Sequence, residues 1–542
     1  MLAISEILVP IAFTVLAYFL YHALQVLRQN LISPLRGILP SPPIPNYVVG
    51  NFKQMAENPH MTAIWREKYG QNFIFHGLLS MNELYTSDLK ALNHISAHPE
   101  IYQRGPLFRD LARRLIGEGI LSAEQEQHRR HRRALNPAFG IAQIRVITEI
   151  FVEKALELRD TWTSKITQQE KTIEVLSGLR SMTLDVIGRA GFGYEFRALD
   201  PTAGPNPLNI AFSDLFHSPK SKLYSLMRLA QSMVPLLKLV PLPGTFVLKN
   251  ARLRMDNIGR QIVKESKTNL MASTLSDGGV KSLGKQRDVL SVLLKANMAL
   301  GLPESQRLTE AEVIAQIPSF FLAGHETTST ATAWAMHELS VHKQVQSRLR
   351  DELLSISTDN PTLDELNSLP FLDKVVRETL RVHPPVTFIQ RKAMADDVLP
   401  LSKPLLGQDG KEYPTLPIRK GQTIHMPIVA VNTSAEVWGS DASEFRPDRW
   451  DNIPEAATTV PSVWGNLFTF LAGAHNCIGF RFALAEMKVL LFTLVRAFEI
   501  TAAVPESNIG PFVAGTIQRP AVLASKEEKS GLPLILTSLN VN

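Results

Sequence analysis

The chain has 542 residues, with 57 Lys and Arg against 51 Asp and Glu, for a net charge of +6. That charge is modest for the length and argues against a nucleic-acid-binding protein. The one cysteine, Cys477, excludes an intramolecular disulfide framework and any multi-cysteine zinc site. It acts alone, as a nucleophile or a single ligand, or it packs as a small buried hydrophobe.

Ile7 to Leu27 is a run of 21 residues without Asp, Glu, Lys or Arg. At about 1.5 Å per residue it is long enough for a hydrocarbon core of about 30 Å. No Lys or Arg precedes it, whereas Arg28 and Arg36 follow. The positive-inside rule therefore predicts a membrane anchor over residues 1–28, with the long C-terminal part in the cytosol. A cleaved signal peptide would want a basic start, a shorter apolar core and a small-residue cleavage site, and none is clear. Residues 29–50 form a proline-rich linker, with five prolines between Pro34 and Pro45. It reads as a stiff extended spacer.

No composition break splits residues 51–542, which read as one large, mainly helical domain with small β-sheets. Periodicity predicts helices over 60–69, 88–96, 124–136, 141–168, 172–192, 249–272, 309–341, 342–356, 370–382 and 478–496. Short β signals lie near 72–87 and 385–430, and residues 200–245, rich in proline and apolar side chains, read as a lid. Asn432-Thr-Ser434 matches a glycosylation acceptor that a cytosolic domain would leave unused.

The predicted helix at 309–341 opens on a capping box, Thr309 to Glu312, and is apolar on all sides from Val313 to Met336. It should therefore cross the core. Pro318 should kink it. Gly324, Glu326, Thr327 and Thr328 place a glycine, an acid and hydroxyls in its buried middle, and such local conflict marks a functional site. Glu378-Thr-Leu-Arg381 puts an acid and a guanidinium on one helix face, a pair that carries little information alone. Arg449, in Phe445-Arg-Pro-Asp-Arg449-Trp450, could complete a buried Arg–Glu–Arg network. The last motif is Phe470-Leu-Ala-Gly473-Ala-His475-Asn-Cys477-Ile-Gly479, followed by a predicted helix whose N-terminus favours a thiolate.

In order and spacing, these four motifs resemble the cytochrome P450 family of haem-thiolate monooxygenases, eukaryotic microsomal and fungal in style. The resemblance covers nearly the whole chain, and Thr183 to Tyr194 also looks like a helix of eukaryotic members. It implies the cytochrome P450 fold behind one transmembrane helix, at the endoplasmic reticulum membrane. It implies haem b bound through Cys477, with Gly473 and Gly479 letting the loop wrap the sulfur. Electrons would come from NADPH through a flavoprotein reductase, with a b-type cytochrome as an additional donor. One oxygen atom of dioxygen would enter an apolar substrate, such as a terpenoid or another secondary metabolite. Gly324 would let the helix open beside the iron. Thr327 would hold dioxygen and a water by hydrogen bonds, and Glu326 would relay protons as a carboxyl of raised pKa.

His128, Arg132, Arg391 and His475 would bind the haem propionates. His475 and His128 stand where the family often has arginine and tryptophan, so this binding should depend on pH. In the run Arg129-Arg130-His131-Arg132-Arg133, Arg132 would point inward, and Arg129, Arg130 and Arg133 would face an acidic electron donor or merely solvent. The substrate pocket would draw on 104–121, 208–245, 317–323, 386–390 and 512–516. Phe108, Phe320, Phe321, Ala323, Phe388, Ile389 and Phe512 are its candidate lining, with ordinary core as the alternative. Haem-thiolate isomerases and dehydratases share the fold but need no acid–alcohol pair, so Glu326 and Thr327 favour monooxygenation. A tethered haem sensor would have no use for a proton relay.

Overall fold

A computed structural model describes residues 33–542 except 168–171, 205, 209, 211–244, 276–287, 300–302, 524–529 and 540–542. Of the first 32 residues it describes 10, 13, 14, 16–18, 20, 21 and 24, so most of the expected span at 7–27 lies outside the described residues. So does most of the expected lid at 200–245. Among the described residues no single helix is long and apolar enough to cross a membrane. The chain folds into two compact units, one from residues 1–105, 388–434 and 459–475, the other from 106–387, 435–458 and 476–542.

The first unit is built on a five-stranded sheet. Its strands are β1 (Asn72–His76), β2 (Asn82–Thr86), β8 (Thr423–Pro427), β5 (Phe388–Ala393) and β3 (Tyr102–Gln103), in the order β1-β2-β8-β5-β3. β2 and β8 run parallel and the other pairs antiparallel. Helix α1 (Met61–Tyr69) lays Trp65 on Phe75, and Phe73 stacks on Tyr85 at 4.4 Å between ring centres. A two-stranded sheet, β6 (Asp397–Leu406) with β7 (Glu412–Ile418), completes the unit. Helix α2 (Leu89–Ala97) is capped by Asp88, whose carboxylate also receives the Ser402 N–H, and this ties α2 to β6.

The proline segment is docked rather than free. Leu35 and Ile38 are buried, and Pro40 O accepts a hydrogen bond from Ile74 N at 3.0 Å. The Asn432 side chain is fully buried between Phe468 N and Thr469, so Asn432 serves the packing and not a sugar.

The second unit is helical: α3 (Pro106–Ile116), α4 (Gln125–Leu135), α5 (Ile141–Thr167), α6 (Val175–Phe192), α7 (Thr245–Leu275), α8 (Val289–Met298), α9 (Glu310–Val341), α10 (Lys343–Leu354), α11 (Pro370–Val382) and α12 (Phe480–Ala497). The capping box of α9 is present on both sides, Thr309 with Glu312. The helix runs unbroken through Pro318, whose missing N–H forgoes one bond without ending it. α9 packs on α6 and on α12, and α12 packs on α5 through Phe482 and Phe151.

Two small sheets join this unit. β4 (Ile173–Glu174), β12 (Pro533–Ser538) and β9 (Phe498–Ala502) form one, and β10 (Ile509–Ala514) with β11 (Ile517–Val522) forms a hairpin. Neither α8 nor strands β9 to β12 are predicted above. Helix α6 begins three residues later than expected because Ile173 and Glu174 pair with β12.

Candidate active site

Cys477 lies in a tight loop ahead of α12. Two residues of that loop, Leu471 and Gly473, have positive φ, 61° and 68°. A Cβ on Gly473 would fall 2.1 Å from Ser96 O, so only glycine fits there. No side chain caps α12, and the N–H of Gly479, its N-cap residue, points at the Cys477 sulfur. Arg132 reaches the same place from α4, donating to Asn476 O at 2.7 Å and to Asn476 Oδ1.

Cys477 exposes surface, yet protein crowds it from most sides. That burial pushes the thiol above its ordinary range, against the Gly479 N–H and the Arg132 charge, which favour thiolate. The N-terminal end of α12 and Arg132 thus work against burial at this sulfur. A coordinated metal ion reverses the balance, because it deprotonates a thiol outright. Burial likewise lowers Arg132, with Cys477 acting in the opposite direction.

α4 presents two faces. His128 and His131 are buried and Arg132 turns inward, as expected. Arg130 does not face solvent: it pairs with buried Glu312 of α9, which also meets His131 Nε2 at 3.2 Å. Burial acts to raise Glu312, but the Thr309 N–H, His131 and Gln127 prevail and hold it at about 2. Burial drives His131 down, so at neutral pH Arg130 is the cation that answers Glu312. Of the expected outward arginines, Arg129 pairs with Glu126, and Arg133 bonds Gln306 at the surface.

α9 is buried from Glu312 to Phe321 and again from Thr328 to Ser340, but opens at 322–325 and 327. Ala323 is exposed in this window. The Thr327 hydroxyl, also in the window, donates to Ala323 O at 2.6 Å. Gly324 does not open the helix, which stays α-helical there. Its bare Cα admits Ile187 of α6, whose Cδ1 would stand 2.9 Å from an added Cβ. Glu326, the expected proton carrier, has basic partners. It ion-pairs with Arg519 of β11 and lies 3.7 Å from Arg180 of α6. Neither arginine is singled out in the sequence reading, because no local spacing links them to 326. A cavity of about 510 Å³ reaches Glu326 and His325, with Arg180, Arg197, Asp200 and Asn206 on its wall.

The four expected propionate residues fall into two pairs, His128 and Arg132 in the second unit, Arg391 and His475 in the first. Arg391 and His475 line one small cavity, together with Ile389 and Tyr102. Of the expected substrate lining, Phe320 is core: it packs edge-on to Phe139 at 5.4 Å and on Phe192. Phe321 is core too, against Phe196 and His325. Phe388 stacks on His425, Phe108 of α3 is 53% exposed, and Phe512 of β10 is partly buried opposite Arg519.

The network expected at Glu378 forms in full. Arg381 Nε and Nη2 fork onto the Glu378 carboxylate at 2.9 and 2.8 Å, and Arg449 Nε adds a bond at 3.2 Å. Trp450 Nε1 and the Arg446 N–H also donate to it, two contributions of the Phe445–Trp450 motif that sequence reasoning missed.

These residues fit haem. Cys477 offers a thiol beside N–H and guanidinium donors, and no group of three or more His, Cys, Asp or Glu able to hold a metal ion exists among the described residues. Between Glu312 and Ser340, α9 of the same unit is uncovered only along the stretch bearing Ala323, Gly324 and Thr327. The cytochrome P450 family model matches residues 40–521. Cytochrome P450 monooxygenase 205 of Postia placenta is 43% identical over 98% of both chains, and monooxygenase 128 of that fungus 42% over 96% of both. A ganoderic acid synthetase of Ganoderma lucidum is 34% identical over 91% of this chain and 92% of its own.

Proposed function

The chain belongs to the cytochrome P450 family of monooxygenases, and from that premise we propose that it is a membrane-anchored haem-thiolate enzyme that oxidises an apolar secondary metabolite, terpenoids being the first class to test. Haem held by a cysteine thiolate supplies the activation of dioxygen, and the thiolate's electron density assists O–O cleavage. The protein's own residues set the conditions for that chemistry. Cys477 is the ligand, steadied by the Gly479 N–H and the Arg132 charge. By resemblance, His128, Arg132, Arg391 and His475 hold the propionates. Thr327 offers a hydroxyl in the uncovered window of α9, and Glu326 is the carboxyl nearest to it in the chain for carrying protons. The network around Glu378, Arg381 and Arg449 holds the fold and touches no substrate.

Electrons come from NADPH through a flavoprotein reductase, and Arg129 and Arg133 are the surface cations of α4 left to meet an acidic partner. The apolar run at 7–27, with Arg28 and Arg36 after it, supports anchoring in the endoplasmic reticulum membrane with the body in the cytosol. One relative is named for ganoderic acid synthesis, which supports small-molecule secondary metabolism as the setting.

The observation that carries the reading is the lone cysteine at the uncapped start of α12, receiving the Gly479 N–H beside Arg132. Cys477→Ala should bind carbon monoxide, if it binds haem at all, without the thiolate-specific absorbance of the reduced complex. A variant that keeps that absorbance ends the assignment. Turnover with NADPH and reductase, compared with a hydroperoxide alone, separates a monooxygenase from a peroxide isomerase.

A further inference from the structure

Glu326 is held from the C-terminal hairpin. Arg519 of β11 donates to its Oε2, and the Arg519 side chain is only 11% exposed. The Arg519 Nε is buried with no hydrogen-bond partner, and the contact with Glu326 runs through Nη2. The hairpin is fixed just ahead of the arginine. Gln518 N donates to Pro385 O at 2.8 Å, Gln518 O accepts from Trp334 Nε1 of α9 at 3.2 Å, and Thr387 N donates to Thr516 O at 2.9 Å. In register, Phe512 of β10 stands directly opposite Arg519. Side chains directly opposite on antiparallel strands share a face, so Phe512 and Arg519 leave the hairpin on the same side.

Successive residues of a helix point about 100° apart, so a carboxylate drawn toward β11 is turned from the face that Thr327 presents. Arg180 stands farther off, and the cavity lined by Arg180, His325 and Asn206 brings solvent to the same carboxyl. We propose that Arg519 is a positioning residue for proton delivery: it holds the Glu326 carboxylate on the hairpin side, and a proton passes toward Thr327 only when that contact loosens. This rests on the reading of Glu326 as the proton carrier. It makes the position of the hairpin that carries Phe512 a control on the relay.

The test uses the haem-loaded full chain with purified reductase and NADPH, without added organic substrate. Infrared difference spectra of wild type minus Glu326→Gln isolate the Glu326 carboxyl band, which is then titrated with pH. A carboxylate that loses an adjacent guanidinium is protonated more readily, so R519Q should move the midpoint up by about one unit or more. R519K, which keeps a cation but not the guanidinium, should fall between the two. The alkaline limb of NADPH consumption should move in step, with a rate change of roughly 2- to 30-fold that vanishes in the E326Q background. Where R519Q does not retain haem, R519K carries the same measurements. A midpoint and limb unmoved in R519Q and R519K, with E326Q altered, overturn the role of Arg519 alone. An E326Q rate equal to wild type removes the carrier reading, and the role of Arg519 with it.

Discussion

Glu378 is the residue whose loss the structure prices most clearly. It is fully buried, and its two oxygens accept from Arg381 Nε and Nη2, Arg449 Nε, Trp450 Nε1 and the Arg446 N–H, at 2.8–3.2 Å. Glu378→Ala leaves two buried guanidiniums to find other partners. Arg449 keeps Asp441 Oδ1 at 2.7 Å, and Arg381 keeps the carbonyls of Ala442 and Glu444, which are neutral acceptors. An uncompensated buried charge costs about 3–5 kcal/mol, and the surviving Asp441 contact puts the expectation near the lower end, about 3 kcal/mol. That is roughly a hundredfold in the folding equilibrium. Glu378→Gln should be little milder, because its NH2 would face donors.

The assay is the urea midpoint of the holoprotein, followed by far-ultraviolet circular dichroism at fixed haem concentration, since bound haem itself stabilises. The double variant Glu378→Leu with Arg381→Met removes both charges and should be more stable than Glu378→Ala alone. A loss in Glu378→Ala below about 1 kcal/mol, or a double variant worse than either single one, would refute the argument that an orphaned charge sets the cost.

Thr327→Ala should keep consuming NADPH while hydrogen peroxide replaces oxidised product, and tight coupling in that variant would remove the hydroxyl from the relay. Haem should dissociate faster at pH 8 than at pH 5, because two of the four expected propionate donors are histidines, and His475→Arg should flatten that dependence. Identical rates across the range count against His475 and His128 as donors. His337 is buried in α9, and burial lowers it to about 4, against Glu338, which acts to raise it. A depressed folded value means stability that is complete above the unfolded value of about 6.5 and lost as pH falls toward 4, some 3 kcal/mol in all. The urea midpoint of His337→Phe should therefore fall less steeply between pH 6.5 and 4 than that of the wild type, and parallel curves would show that His337 does not titrate there.

Local chemistry was legible and long-range partnership was not. Thr309 and Glu312 lie three residues apart, so their capping box could be read directly, and Glu378 and Arg381 share a helix face for the same reason. The second task of Glu312, receiving Arg130 and His131, depends on α4 crossing its end, and no spacing reports that. Arg130 therefore read as a surface cation. Strands β9 to β12 escaped because each is short, and β10 and β11 are interrupted by proline or glycine, as in Ile509-Gly-Pro-Phe.

Residues 323–327 show the same boundary inside one motif. A glycine, an acid and a hydroxyl in the middle of a buried helix flagged a functional site, and the structure uncovers the helix at that stretch. The reasons differ from residue to residue. Gly324 is small because Ile187 of α6 occupies the space where its Cβ would be, a packing demand that propensity along one helix cannot reveal. Glu326 is tolerated because Arg519 comes from nearly two hundred residues downstream, at a separation of 193. The Thr327 hydroxyl is bonded back to Ala323 O in the uncovered window. A buried acid that stays ionised on a helix requires a counter-charge, but tertiary contact alone names it. Here the counter-charge sits on a hairpin beside Phe512, and so the acid's environment is set by an element that local sequence would never connect to it.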